Sequence, residues 1–196
     1  MPRLSGRLKI ALLGLLGLNA ALIAYVTLIA PRMEASVLDT LGQGDYVLEM
    51  TGGEAFTEAS LKGAPSAVFF GFTHCPDVCP TTLGDVLGWQ EEIGEDTPLR
   101  VYFVTVDPER DTLDVLTDYV SWVPGVKAAT GSPEEVQKAI RAFKIFAQKV
   151  PTEGSYTMDH SASVLLFDED GKFVETISYG TDHEVAVERV KRLMGI

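Results

Sequence analysis

The sequence predicts an α/β domain carried behind one apolar helix, and three observations support that class. Apolar runs of strand length, residues 67–70 and, with Thr105 among them, 101–106, alternate with stretches of helical spacing. Residues 10–30 contain no charged side chain. The only two cysteines, Cys75 and Cys79, stand four positions apart, where the first apolar run gives way to a helical pattern.

The 196 residues leave room for a membrane segment and one domain of roughly 150 residues. The first 32 residues hold Arg3, Arg7, Lys9 and Arg32 and no acidic side chain. Residues 33–196 therefore carry 12 basic against 28 acidic groups, a net charge of −16. That acidity argues against nucleic acid as a partner, and against binding an anionic membrane surface through the domain itself. Residues 10–30, broken only by Asn19 and Thr27, are long enough to span a bilayer as a helix. Basic residues precede the segment, so residues 1–9 are expected in the cytoplasm and the domain on the far side, the periplasm of a bacterium. A cleaved signal peptide is the rival, but its apolar core is usually shorter, and Leu28-Ile29-Ala30 does not place small residues at both positions of a cleavage site. No cysteine near the segment could take a lipid. In an oxidising space a thiol pair tends to close as a disulfide.

Beyond a linker at 31–44, residues 46–50 and 55–57 around Thr51-Gly52-Gly53 read as a small hairpin that opens a domain of residues 45–196. Residues 67–70 form the central strand. The cysteine helix follows, with Leu83, Val86, Leu87 and Ile93 on one side and Pro76 suited to its first turn. The second apolar strand exits through Asp107-Pro108-Glu109-Arg110-Asp111-Thr112 into a helix bearing Leu113, Leu116, Tyr119 and Val120. Ser132-Pro133-Glu134-Glu135 has the form of a capping box and starts a helix with Val136, Ile140 and Phe143 inward. Residues 163–167 and 172–177 flank Asp170-Gly171, a hairpin signal. Thr181-Asp182-His183-Glu184 caps a last helix bearing Val187, Val190 and Met194. Strand, helix, strand, helix, hairpin, helix is the order of a thioredoxin-like domain. The N-terminal hairpin and residues 107–150 are read as additions to that core.

Two thiols at i and i+4 on a helix start can share a metal or close a disulfide. The helix N-terminus is expected to favour their thiolate form. A structural staple there would close almost no loop and stabilise little. Thioredoxin-type pairs are spaced by two residues rather than three, and a proline normally precedes the last hairpin. Here that place is taken by Tyr156-Thr157-Met158-Asp159-His160-Ser161-Ala162, read as a loop. With this fold, His160 meets Cys75 and Cys79 from 81 residues beyond Cys79. Two thiolates and an imidazole suit Cu(I), an added oxygen or nitrogen donor would accommodate Cu(II), and zinc is also compatible.

The blocks Phe70-Gly71-Phe72-Thr73-His74-Cys75-Pro76-Asp77-Val78-Cys79-Pro80, Val106-Asp107-Pro108-Glu109-Arg110-Asp111-Thr112 and Asp159-His160-Ser161 resemble the signature blocks of the Sco (SenC/PrrC) family. The resemblance runs from about Tyr46 to Met194, and Leu113 departs from it where many relatives have proline. It implies a membrane-anchored, thioredoxin-like copper protein that helps assemble the binuclear copper centre of cytochrome c oxidase subunit II. It also implies copper ligation by Cys75, Cys79 and His160, and a periplasmic copper donor or thiol reductant as a further partner. Asp77, Asp107 and Asp111 are additional candidates, although a helix start or strand exit explains acidic residues at those places. His74 is expected to point away, His183 to be exposed, and Met158, Trp89 and Trp122 to pack. Three functions stay open: copper carriage, thiol–disulfide reduction of the oxidase subunit through Cys75 and Cys79, and thiol peroxidase chemistry. No arginine adjoins Cys75 for the last of these.

Overall fold

The computed structural model describes residues 5–29, 37–94 and 98–196. The chain divides into two compact units, Met1–Asp39 and Thr40–Ile196. In the first, α1 (Gly6–Ala24) passes into a π-helical turn, Tyr25–Ile29. Its two polar interruptions are satisfied within the helix: Asn19 Nδ2 donates to the Leu15 carbonyl at 3.0 Å and Thr27 Oγ1 to that of Ile23 at 2.7 Å. Leu13, Leu16, Leu18 and Ile23 are exposed. No helix among the described residues is long and apolar enough to cross a membrane, so the structure does not establish the anchor expected over residues 10–30. Residue 30 and linker residues 31–36 lie outside the described residues.

The second unit is built on a seven-stranded sheet of order β2-β1-β5-β4-β3-β8-β9. Its strands are β1 (Leu48–Met50), β2 (Ala55–Phe56), β3 (Ser66–Gly71), β4 (Arg100–Thr105), β5 (Val126–Thr130), β8 (Ser163–Phe167) and β9 (Phe173–Ser178). Strands β3, β4 and β5 run parallel, and β8 lies antiparallel to β3 on its other side. Every residue of β3 is buried, as a strand covered on both faces requires. The N-terminal hairpin is not a separate appendage, because β1 pairs with β5 and extends the sheet. Strand β5 itself lies within the stretch read as an insertion.

The α-helices α2 (Val78–Ile93), α3 (Leu113–Val120), α4 (Pro133–Ala142) and α5 (His183–Met194) connect and cover these strands, and a short 3-10 helix, Glu58–Leu61, joins β2 to β3. Ser132 caps α4 by accepting from the Glu135 N–H, but the box is half made. The Glu135 carboxylate instead accepts from Val47 N–H at 2.8 Å and so ties the hairpin to the helix. Phe143, just past α4, packs its ring against Tyr46, Phe56, Phe70 and Phe167, with centroids 5.1–6.1 Å apart. Trp89 is buried in α2 as expected. Trp122 is not, because it follows the last turn of α3 and is 47% exposed.

Between α4 and β8 the chain forms a two-stranded ribbon, β6 (Ala147–Thr152) paired with β7 (Ser155–His160), where the sequence reading has only loop. The strand character was hidden by polarity. Five of the six β6 residues are exposed, and Pro151 interrupts the pattern.

Candidate metal centre

Two neighbouring strand ends and one returning strand assemble the site. Parallel pairing sets Gly71 of β3 opposite Thr105 of β4, so the cysteine loop and the Asp107–Asp111 turn leave the sheet side by side. Antiparallel pairing of Phe69 with Val164 brings the start of β8 to the same edge, three residues after His160. Sites in open α/β sheets gather at this carboxyl edge. Cys75, Cys79 and His160 consequently offer donor atoms that all lie within 4.8 Å of one another.

The two sulfurs are not stacked on one helix face. Asp77 is the N-cap and α2 begins at Val78, so Cys75 lies in the preceding loop and Cys79 in the first turn. Pro76 is outside the helix, and Pro80 occupies the first-turn position in its place. The Cys79 N–H donates to Cys75 Sγ at 3.4 Å, and the Cys75 N–H to the Phe72 carbonyl at 3.2 Å. Cys79 is fully buried and Cys75 partly exposed. Burial pushes the Cys79 thiol well above its ordinary pKa, with the nearby Cys75 and Asp111 adding to the rise. The helix start does not overcome this desolvation, so Cys79 stays a thiol until a metal or partner displaces its proton. Gly71 makes room for it, since a Cβ there would stand 2.9 Å from Cys79 Sγ and 2.7 Å from the Phe103 ring.

His160 ends β7 with Nε2 3.8 Å from Cys79 Sγ. Its Nδ1 is 2.9 Å from the Ser161 carbonyl, which can only accept. That bond places the proton on Nδ1 and leaves the Nε2 lone pair facing the sulfurs, the arrangement a metal-binding imidazole needs. The Phe72 ring meets the imidazole edge-on, with centroids 5.7 Å apart at 88°. A buried soft sulfur, an accessible one and an oriented imidazole nitrogen form a donor set that fits copper.

The acidic candidates serve the frame, and none of them joins the donor cluster. Asp111 is fully buried and accepts from Thr73 N–H at 3.1 Å, Thr73 Oγ1 at 2.6 Å and Thr105 Oγ1 at 2.6 Å. It thus clamps the start of the cysteine loop to β4. Asp107, also buried, pairs with Arg110 and accepts from the Tyr156 hydroxyl at 2.8 Å. Asp77 accepts from Thr81 Oγ1 at 3.3 Å across the first turn of α2. His74 is exposed, with Nδ1 3.1 Å from Thr73 Oγ1, and His183 is exposed at the start of α5. Met158 packs against the core. Thr73, Phe72, Arg110 and Tyr156 are the site-building residues that spacing alone does not single out. Phe72, Thr73 and Arg110 fall inside the motif blocks, whereas Tyr156 lies outside them.

Comparison with known proteins agrees with this geometry. The SCO1/SenC family model matches residues 35–195. The chain belongs to the SCO1/SenC family. It is 30% identical to the mitochondrial protein SCO2 of Saccharomyces cerevisiae over 195 residues, covering 92% of this chain and 65% of that protein. To the bovine mitochondrial SCO2 homolog it is 32% identical over 169 residues, covering 83% and 64%. The chain therefore spans somewhat less than two thirds of these relatives. Among solved structures, Bradyrhizobium japonicum ScoI with copper bound superposes with a TM-score of 0.71 at 41% identity, covering 78% of this chain and 99% of that one. Yeast Sco1 with copper bound gives 0.70 at 32% identity, covering 78% and 87%.

Proposed function

We propose that this SCO1/SenC chain is a membrane-anchored copper carrier that holds one copper ion through Cys75, Cys79 and His160. It assists assembly of the binuclear copper centre of cytochrome c oxidase subunit II. One observation carries the reading: three donors from segments 81 residues apart in sequence converge within 4.8 Å. Copper-bound relatives at 41% and 32% identity support it. The cysteine pair must be reduced to accept the ion, so a periplasmic thiol reductant or copper donor acts upstream. Residues 10–30 are the single-pass anchor of a bacterial inner membrane, with residues 1–9 in the cytoplasm and the acidic domain in the periplasm.

The test is an anaerobic Cu(I) titration of reduced residues 33–196 against a competing chelator. The expected result is one ion per chain, with binding greatly weakened in Cys75→Ser, Cys79→Ser and His160→Ala. Full-strength binding by His160→Ala would refute the carrier reading.

A second reading uses the same pair as a thiol–disulfide reductant of the oxidase subunit's cysteines. It is favoured by the pairing of an accessible Cys75 with a buried Cys79 whose N–H donates to Cys75 Sγ. In this case Cys75 attacks the partner disulfide and Cys79 resolves the mixed disulfide, leaving the partner as a dithiol and the chain oxidised. His160→Ala separates the two readings, since exchange survives it and metal retention does not. Peroxidase chemistry is the weakest option, because no arginine adjoins Cys75 in sequence and Asp159-His160-Ser161 would have no role in it.

A further inference from the structure

The ribbon that delivers His160 is held to the domain in an unusual way. It forms its own two-stranded sheet and hydrogen-bonds to no strand of the seven-stranded one among the described residues. A lone hairpin is marginal in water. Its placement therefore depends on what its inward face touches. Alternation along β7 puts Tyr156, Met158 and His160 on that face. His160 reaches Cys79 at the base, Met158 packs against the core in the middle, and Tyr156 stands near the tip.

Tyr156, half-buried, is held at several points. Its hydroxyl donates to buried Asp107 at 2.8 Å, and its carbonyl accepts from Arg110 Nη1 at 3.0 Å. The Arg110 guanidinium lies 3.8 Å from its ring centroid and Lys149 Nζ 4.2 Å. Lys149 is itself paired with Glu109 of the same turn at 2.7 Å. Arg110 also stands 5.9 Å from the Phe72 ring, which meets His160 edge-on. One turn after β4 thus holds the ribbon tip directly and touches the imidazole through Phe72.

We infer that Tyr156, locked onto Asp107 and Arg110, is a positioning residue that latches the β6–β7 ribbon and so sets how often His160 faces the cysteine pair. The inference rests on the copper reading above. It makes the third ligand separable from the other two: latch closed, three donors; latch open, a cysteine pair free for exchange. A charge-assisted hydrogen bond to a buried carboxylate is strong enough to change the docked fraction about tenfold.

The test uses the full chain in detergent micelles, comparing the parent, Tyr156→Phe, Tyr156→Ala, His160→Ala and the Tyr156→Ala/His160→Ala double variant. In the reduced, metal-free protein, amide hydrogen exchange of residues 147–160 should accelerate about tenfold in Tyr156→Ala and less in Tyr156→Phe, while β3 and β4 exchange as in the parent. Cu(I) affinity should fall about tenfold in Tyr156→Ala, and the double variant should bind like His160→Ala alone. Unchanged exchange in the ribbon overturns the latch. So does an equal loss of affinity with and without His160, which would mark a merely structural role. If His160→Ala binds copper as the parent does, the carrier reading fails instead, and the exchange measurement still decides the latch.

Discussion

At the residue scale the site turns on how differently its two sulfurs are treated. Cys79 sits in a slot without solvent access, and burial raises its pKa, whereas Cys75 is partly exposed at the loop. Iodoacetamide on the reduced, metal-free protein should therefore modify Cys75 first, with Cys79 protected until the protein is unfolded. Peptide mapping after a time course reads the order directly, and equal labelling would contradict it. Gly71 belongs to the same argument. A methyl group there meets Cys79 Sγ and the Phe103 ring inside 3 Å, and Phe103 is buried too firmly to withdraw. Gly71→Ala should lose about 1–3 kcal/mol of unfolding free energy and weaken Cu(I) binding, because the sulfur has to move.

At the element scale, two turns and one ribbon do the positioning, and they differ in how visible they are beforehand. Strands β3 and β4 could be read from their apolar runs, and the β8–β9 hairpin from Asp170-Gly171, whose Gly171 has φ +77°. Strand β5 could not, since Val126-Lys127-Ala128-Ala129-Thr130 is short, alanine-rich and charged, and only pairing with β4 and β1 makes it a strand. The ribbon escaped for another reason: five of the six β6 residues face solvent, and the alternation of Tyr156, Met158 and His160 in β7 is too short and too polar to mark a strand by itself. The donors Cys75, Cys79 and His160 were legible because their chemistry is rare in this chain. The true work of Asp111 was not, since a carboxylate that clamps a loop and one that binds a metal look alike in sequence. Its oxygens satisfy the Thr73 N–H and two hydroxyls. Asp111→Ala leaves those donors unpaired and should lower stability by about 2–5 kcal/mol in urea unfolding. Asp111→Asn, which keeps an acceptor, should lose distinctly less. Identical losses would mean the clamp is unimportant.

For the whole molecule, an acidic domain carries a site that opens at one sheet edge, and its core includes acids whose ionisation folding opposes, Cys79 and Tyr46 among them. Burial raises the pKa of Cys79, and burial with Glu58 nearby raises that of Tyr46, whose hydroxyl donates to the Gly42 carbonyl at 2.8 Å. Both groups bind their protons more tightly folded than unfolded. Their contribution to stability is thus complete below the unfolded pKa values, about 8.5 for cysteine and 10 for tyrosine. It is lost as pH rises above them, because the unfolded chain ionises first. Urea unfolding of reduced, metal-free residues 33–196 should accordingly show Cys79 contributing almost nothing to the pH dependence between pH 5 and 7. From about pH 8.5 to 10 it should add a slope approaching 1.4 kcal/mol per pH unit, steepening further once tyrosine begins to titrate. Cys79→Ala removes the first of these slopes and keeps the second. Parallel curves for parent and variant would show that the buried thiol ionises as freely in the fold as outside it. The barrier that keeps Cys79 protonated before metal arrives would then have to be abandoned.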